Sequence, residues 1–298
     1  MKLIVQPEDG VGPVVTAIQK ARKCVDIVIF RFDRLEIEKM MAAAVARGVV
    51  VRTVIAHTNH RGEKNLRKLE FRLLAAGVLV ARTGDDLLRY HDKFLVVDRA
   101  TLYVLGFNYT RLDIDRSRSF GIITKNRKLV AEALKLFEAD STRQPYVAGF
   151  DAFVVSPVNA RERLAAFIKK ARKQLLIYDP KISDRAMITL LQQRAKAGVD
   201  VRILGKLAKR GAGLKVQKYP GKRLHVRAIV RDGYRAFVGS QSLRQLELDA
   251  RREVGVIVRD RKVVKRITTV FEEDWALTEL GKRDDASSAS GARDAASA

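Results

Sequence analysis

The sequence predicts an α/β protein built as two tandem, related halves, each a mixed sheet flanked by helices. Three observations carry that prediction. The frame His-x-(Lys/Arg)-x4-Asp occurs twice, as His91-Asp92-Lys93 ending at Asp98 and as His225-Val226-Arg227 ending at Asp232. The surroundings of the frame recur as well: Asn108 follows His91 at the interval by which Ser242 follows His225, and Gly121 and Gly255 stand at a second shared interval. Upstream, Lys20-Ala21-Arg22-Lys23 returns as Lys170-Ala171-Arg172-Lys173 at a shift of 150, and Ala46-Arg47-Gly48-Val49 matches Lys196-Ala197-Gly198-Val199 at the same shift. Self-similarity at fixed spacing marks a repeated structural unit. The chain has only four histidines and places two of them in one frame, so the repeat points to a single anion site made from two halves.

The elements follow in order. Val11 to Lys23 has helical spacing and Val25 to Phe32 is β-rich; Arg34 to Arg47 predicts a second helix and Val49 to Ala56 a second strand. In Glu63 to Ala76, Leu66, Leu69, Leu73 and Leu74 fall at helical spacing. Lys93 to Val97 and Leu102 to Leu105 are strands around a turn at Asp98-Arg99, followed by a strand at Ser119 to Thr124 and a helix at Lys128 to Ala139. The second half repeats this with helices at Ala160 to Arg172 and Asp184 to Ala197. Its strands are Gln174 to Tyr178, Val199 to Leu204, Arg227 to Val230, Ala236 to Gly239 and Glu253 to Val258, and Lys262 to Trp275 closes it as a helix. Such alternation argues for sheets covered by helices. From the histidines onward the shift falls from 150 to 134, so the second copy is shorter between Arg202 and His225, where the Glu63 to Ala76 helix is expected to be lost or replaced. Pro145, Gly149 and Pro157 place the junction within Ser141 to Asn159. The expected division is residues 1–145, residues 146–281 and a tail at 282–298, whose Ala/Ser/Asp-rich composition predicts disorder.

Composition bounds the partners. At 298 residues and 47% apolar, the chain can bury one large core or two modest ones. No apolar run approaches the ~20 residues that span a bilayer, and Met1 to Glu8 lacks a signal-peptide layout. Cys24 is the only cysteine, so no internal disulfide can form; it reads as a core residue. The expectation is a cytoplasmic protein able to bind a membrane surface. A net charge of +24 and a pI near 10.4 favour polyanionic partners: nucleic acid, anionic lipid headgroups, or both. Lys206 to Arg223 holds seven basic side chains and no acid, with glycines at 211, 213 and 221, and runs straight into His225. Arg61, Lys64, Arg67, Lys68 and Arg72 occupy the corresponding place before His91. These clusters read either as a positive rim to the site or as solvated faces.

The doubled frame, with a downstream Asn or Ser and a Glu, resembles the phospholipase D superfamily over roughly residues 10 to 275. The pairing carries the resemblance. It implies two phospholipase D-like α/β halves related by a pseudo-twofold axis, with one shared active site. It implies that one histidine attacks phosphorus to give a phosphohistidine and the other protonates the leaving alcohol, with neither a metal nor another cofactor required. On this resemblance His91, Lys93, His225, Arg227 and Glu253 are catalytic, Asn108 and Ser242 bind substrate, and Asp98 and Asp232 support the motif.

The residue types suit the chemistry. Negative charge grows on the non-bridging oxygens of a phosphodiester in the transition state, where fixed donors stabilise it; Lys93, Arg227, Asn108 and Ser242 are such donors. An imidazole with an ordinary pKa of about 6.5 serves as nucleophile or as acid, but the two roles need opposite protonation states. Glu253 follows Ser242 at the interval by which Ser119 follows Asn108, so only the second copy has a carboxylate there. In the family the carboxylate of one half contacts the histidine of the other. The resemblance therefore implies that Glu253 holds His91 as nucleophile, while His225 has only Ser119 and acts as general acid. Arg227 in place of lysine and Ser242 in place of asparagine depart from the family pattern, bringing a larger fork and a shorter donor.

Three functions remain: a phosphatidyl-transferring or phospholipid-hydrolysing enzyme, similar to cardiolipin synthase-like proteins; a metal-independent nuclease or phosphodiesterase; and a weakened enzyme that only binds phosphate or lipid. Fused halves complete one site without dimerisation, so a monomer is expected. His57 and His60 read as loop residues near the pocket mouth, Tyr90 and Phe107 as packing residues, and Trp275 as core or interface.

Overall fold

The computed structural model describes residues 1–57, 63–208, 213–221 and 223–283; His60, Arg61, three basic residues of the glycine-rich segment and the chain from 284 onward lie outside them. The first half runs β1 (Lys2–Gln6), α1 (Gly12–Gln19), β2 (Cys24–Ile29), α2 (Leu35–Ala46), β3 (Val50–Ile55), α3 (Glu63–Ala75), β4 (Leu79–Arg82), β5 (Arg89–Tyr90), β6 (Phe94–Val97), β7 (Thr101–Leu105), α4 (Arg111–Asp115), β8 (Ser119–Thr124) and α5 (Arg127–Thr142). The second runs β9 (Phe153–Ser156), α6 (Ala160–Lys169), β10 (Gln174–Ile182), α7 (Arg185–Lys196), β11 (Asp200–Leu207), β12 (Lys215–Gln217), β13 (Arg227–Arg231), β14 (Arg235–Gly239), α8 (Gln245–Asp249), β15 (Arg251–Val258) and α9 (Arg261–Ala276).

Each helix and strand expected from periodicity is present, with ends shifted by a few residues. The elements the sequence did not signal are short: β1, β4, β5, β9, β12, α4 and α8 have too few residues for a period to show. Strand β9 lies inside the expected junction and is the counterpart of β1, at the shift that relates the other upstream repeats. Helix α3 has no counterpart among the described residues, where β12 is the next element after β11. The basic segment from Lys206 includes strand β12, and Cys24 is half-buried rather than a core residue.

Both sheets are mixed. The first has the order β1-β8-β7-β6-β2-β3-β4, and the second β12-β11-β10-β13-β14-β15, with β9 pairing antiparallel to β15. Strands β2 and β3 pair in parallel, as do β10 and β11, and their near-continuous apolar runs suit burial on both faces. Helices α1, α2 and α3 cover the outer face of the first sheet, and α6, α7 and α8 that of the second. Helices α5 and α9 lie between the sheets, in a core that joins Phe120 and Phe137 to Tyr178, Phe271 and Trp275. Tyr178 meets Phe120 and Phe271 edge-on, at ring separations of 5.6 and 5.0 Å.

The halves grip each other reciprocally. Arg252 of β15 pairs with Asp140 of α5 at 3.0 Å, and Arg118, just before β8, pairs with Asp274 of α9 at 3.0 Å. The same two arginines also donate to the carbonyls of Ser156 and Gln6, each at 3.3 Å. The backbone follows suit: His91 N–H donates to Arg252 O at 2.8 Å, and His225 N–H to Arg118 O at 3.0 Å. Every contact in this set has its partner at the offset seen in the sequence, which is the pseudo-twofold relation in atomic form.

The upstream repeats have local causes. Asp98 accepts hydrogen bonds from the N–H groups of Arg22, Lys23 and Cys24, and Asp232 from those of Arg172, Lys173 and Gln174. Gly48 and Gly198 both take φ of 83°, ending α2 and α7 in a conformation that side chains disfavour. Asp98→Ala is expected to cost ~1–3 kcal/mol of stability, the range for hydrogen bonds to a charged acceptor. Its turnover should be unchanged; a loss of kcat with unaltered urea midpoint would place Asp98 in the chemistry instead.

Candidate active site

The two motifs sit where the halves exchange segments. Strand β5 leaves its own sheet to pair in parallel with β15, at Arg251↔Arg89 and Arg252↔Tyr90, and delivers His91. Leu224 bridges to Arg118 and delivers His225. Extended backbone puts alternate side chains on opposite faces, so His91 and Lys93 face the site while Asp92 turns away, as do His225 and Arg227 with Val226. All four site residues are buried, as are Glu253, Asn108 and Ser242.

Glu253 Oε2 lies 2.8 Å from His91 Nδ1, a contact from the second half to the first. Lys93 Nζ stands 3.0 Å from His91 Nδ1 and 3.1 Å from Nε2, and Phe30 packs edge-on to the imidazole at 4.5 Å. Burial, then the charges of Lys93 and Arg227, hold His91 well below the usual imidazole range. Burial and then Arg227 do the same to His225, against the pull of Asp113. Each half thus turns a carboxylate toward the histidine of the other, Glu253 at 2.8 Å from His91 and Asp113 at 3.7 Å from His225, and each imidazole is disfavoured in its charged form by the cation of the other half as well as its own. Burial brings the Lys93 ammonium down to about 8 and raises the Glu253 carboxyl.

Arg227 is held in place by its own half: Nε donates to Ser242 Oγ at 3.2 Å, and Nη1 to His225 O at 2.7 Å. Ser242 therefore serves as a prop for the larger fork of Arg227. Asn108 Nδ2 donates to Asp113 at 2.6 Å, and its Oδ1 has no hydrogen-bond partner among the described residues. Asp98 and Asp232 lie in turns away from this centre, on the backbone contacts given above.

Asp113 was not signalled by the motif spacing, and it corrects the expectation that His225 has only Ser119. Ser119 Oγ is buried with no hydrogen-bond partner among the described residues. Asp113 Oδ2 instead approaches His225 Nδ1 to 3.7 Å, while its other oxygen takes the Arg223 guanidinium. Burial opposes ionisation of Asp113, but His225, Arg223 and the Asn108 N–H outweigh it and hold the carboxyl well below the usual range. The counterpart of Asp113 is Glu247, whose Oε2 accepts from Ser242 N–H at 2.8 Å just as Asp113 accepts from Asn108 N–H at 2.8 Å. An acid recurring at the same shift as the histidines was the signal that would have found the pair.

Of the basic clusters, Arg67 and Arg72 are engaged in local ion pairs with Glu70 and Glu38. Lys206, Lys218 and Arg223 line a cavity of about 310 Å³ beside Leu224, at the His225 side of the site. His57 lies just beyond β3 with its N–H on Thr83 Oγ1, at 2.9 Å. Among the described residues no group of three or more His, Cys, Asp or Glu side chains could hold a metal ion, and no helix is long and apolar enough to cross a membrane.

Behind the site, Asp92 is buried with no hydrogen-bond partner for either oxygen among the described residues. Burial, then the neighbouring Asp140, push it up to about 8. A carboxyl whose folded pKa is raised binds more protons folded than unfolded between about pH 4 and its folded pKa, so it lowers stability as pH rises through that window. Its counterpart is Val226. Asp92→Val is expected to stabilise the protein by on the order of a few kcal/mol above pH 8, with a smaller gain at pH 4; a gain that is larger at pH 4 would contradict this account.

The chain matches the family model described as "Cardiolipin synthase, PLD-like domain" over residues 14–141 and 164–275. It is 22% identical over 236 residues to a cardiolipin synthase of Staphylococcus aureus, covering 64% of this chain and 47% of that protein. The chain thus spans about half the length of the curated relatives it matches at this level. Among solved structures, polyphosphate kinase from Porphyromonas gingivalis superposes with a TM-score of 0.76 at 19% identity, over 91% of this chain and 49% of that one. Phosphatidylserine synthase from Haemophilus influenzae does so with a TM-score of 0.69 at 9% identity, over 91% of this chain and 84% of that one. These structural likenesses show the fold, two tandem α/β halves. With both halves matched by the family model and both motifs drawn into one buried centre, the chain belongs to the phospholipase D superfamily.

Proposed function

We propose that this protein cleaves or transfers a phospholipid phosphodiester through a phosphohistidine on His91. The observation that carries the reading is the Glu253–His91 contact across the halves, 2.8 Å at Nδ1. An Nδ1–H held by a carboxylate puts the lone pair on Nε2, and a phosphate oxygen that draws the Lys93 ammonium off its 3.1 Å contact there exposes that lone pair for attack on phosphorus. Attack forms the Nε2–P bond and breaks the bond from phosphorus to the leaving alcohol, which takes a proton from His225; the negative charge of the bound phosphodiester, together with Asp113, favours the protonated imidazole against burial and Arg227. Water or a second alcohol then attacks phosphorus, giving its proton to His225, and the Nε2–P bond breaks. Lys93 and Arg227 neutralise the non-bridging oxygens throughout. The cationic cavity of Lys206, Lys218 and Arg223 suits an anionic headgroup or membrane surface, which supports a reading in which the protein works peripherally on lipid.

A nuclease reading is favoured by the net charge of +24. The test is to incubate the protein, His91→Ala and His225→Ala with labelled phospholipids, single-stranded DNA and RNA in EDTA, with and without a primary alcohol. Headgroup release or transfer to the alcohol, lost in both variants, supports the lipid reading. Cleavage of nucleic acid alone moves the answer to a nuclease, and no turnover on any substrate leaves a phosphate-binding protein.

Asp113 acts here as a positioning residue. Its charge raises the proton affinity of His225 against burial and Arg227, so Asp113→Asn is expected to move the alkaline limb of kcat/KM to lower pH. An unchanged pH profile with a merely lowered kcat would give Asp113 a structural role only.

A further inference from the structure

We propose that the second half carries a separate anion site, at the end of its sheet opposite the histidines, which takes a phosphate-bearing anion through Arg231, Arg235 and Arg259. Strand β13 begins at Arg227 in the active centre and ends at Arg231, ~13 Å away at the usual rise of an extended chain. Arg235 opens β14 directly opposite Arg231, and Arg259 follows Val258, which pairs with Ala236. Together with Lys170 these arginines line a cavity of about 670 Å³ whose wall includes Phe167 and Ile257.

The charge in this cavity is unmatched. Arg163 in the wall is paired with Asp151 at 2.8 Å, but Lys170, Arg231, Arg235 and Arg259 make no ion pair among the described residues. Arg231 is only 3% exposed. Its Nη1 donates to Phe167 O at 3.0 Å and its guanidinium lies 4.6 Å from the Phe167 ring centre. Its Nε, like that of Arg235, is buried without a hydrogen-bond partner among the described residues. Burial, then Arg259 and Arg231, pull Arg235 below the usual guanidinium range, so the three cations work against one another. A buried cation with free donors and no counter-charge is costly unless something supplies the charge.

The internal repeat shows that the fold does not demand these residues. At the corresponding positions of the first half stand Val97 for Arg231, Thr101 for Arg235 and Lys125 for Arg259. Ala17 stands for Phe167, and Pro13 for Arg163. Elsewhere the halves keep what the architecture needs, including the turn carboxylates Asp98 and Asp232. Arg231 and Arg235 are cations added to one half only, beside a third position, Arg259, that is cationic in both. Planar guanidinium forks bind phosphate oxygens two at a time, and the apolar wall accommodates whatever organic part the phosphate carries. A lipid headgroup and a soluble phosphate compound present the same chemistry.

Arginine-selective modification with phenylglyoxal, read by peptide mass spectrometry on the full chain, tests the site independently of catalysis. The arms are pyrophosphate, phosphatidylcholine vesicles, and phosphatidylcholine vesicles containing phosphatidylglycerol. Modification of Arg235 and Arg259 is expected to slow about tenfold at a ligand concentration ten times Kd, following simple mass action. The protection should survive in His91→Ala, which separates it from the active centre, and should be lost at Arg235 in the exposed-residue variant Arg259→Glu. Protection by the phosphatidylglycerol vesicles alone identifies a lipid source, and protection by pyrophosphate a soluble one. Unchanged modification of Arg235 and Arg259 in every arm, while Arg223 or Arg227 is protected, overturns the second site and leaves the catalytic reading standing.

Discussion

His91→Ala is expected to abolish turnover on every phosphodiester, with kcat reduced by ~10⁵ or more, the scale seen when a covalent nucleophile is removed. His225→Ala should fall by ~10²–10⁴ on substrates with an ordinary alkoxide leaving group, the usual contribution of a general acid. On a p-nitrophenyl phosphodiester the two variants should part. Nitrophenolate leaves without a proton, so the first step of His225→Ala should recover to a burst of nitrophenol, whereas His91→Ala should give none. The asymmetry has a structural cause. His91 Nδ1 has Glu253 at 2.8 Å, while His225 Nδ1 has Asp113 only at 3.7 Å. A burst from His91→Ala and none from His225→Ala would reverse the roles. Loss of the burst in both variants would argue against a division into nucleophile and acid.

The second large effect is on stability. Arg252→Met removes the cation from a buried cluster and leaves Asp140 unpaired, with Asp92 already above the usual carboxyl range beside it. Breaking a buried pair from one side costs ~3–5 kcal/mol, and this pair also joins the second sheet to α5 of the first half. Both carboxyls have folded values raised above the unfolded ones, Asp140 to about 6 and Asp92 to about 8. The sign follows: protonation relieves them, so the deficit of Arg252→Met should be largest above pH 8 and shrink toward pH 4. Urea unfolding at pH 5 and pH 9 measures both. The double variant Arg252→Met with Asp140→Asn should recover part of the loss, because the orphaned charge is gone. A deficit that is equal at both pH values would mean that lost packing over Tyr90, where the guanidinium sits 5.4 Å from the ring centre, outweighs the charge.

Much of the architecture was legible because it is written twice. A motif such as Arg22-Lys23 or Gly48-Val49 is weak alone, but its return at a shift of 150 marks equivalent turns, and the first of these prove to be the ones Asp98 and Asp232 hold. Strong apolar runs such as Val25 to Ile29 and Leu175 to Tyr178 gave their strands away for the same reason that they are central: both faces are covered. What escaped notice was short or out of register with the motif. Strand β9 is four residues beside a proline, inside the expected junction, and the two-residue β5 acquires its meaning only from β15.

The sequence alone determined the α/β class, the doubled unit and the placement of His91, Lys93, His225 and Arg227 in equivalent frames, because spacing along the chain is a one-dimensional quantity that periodicity and repetition record. The tertiary structure decided which groups from different halves meet. Asp113 lies far from Arg223 in sequence yet bonds to it, and Asp92 and Val226 share a frame position but face different neighbours. Burial and charge at such points depend on distances through space, and no spacing along the chain encodes them.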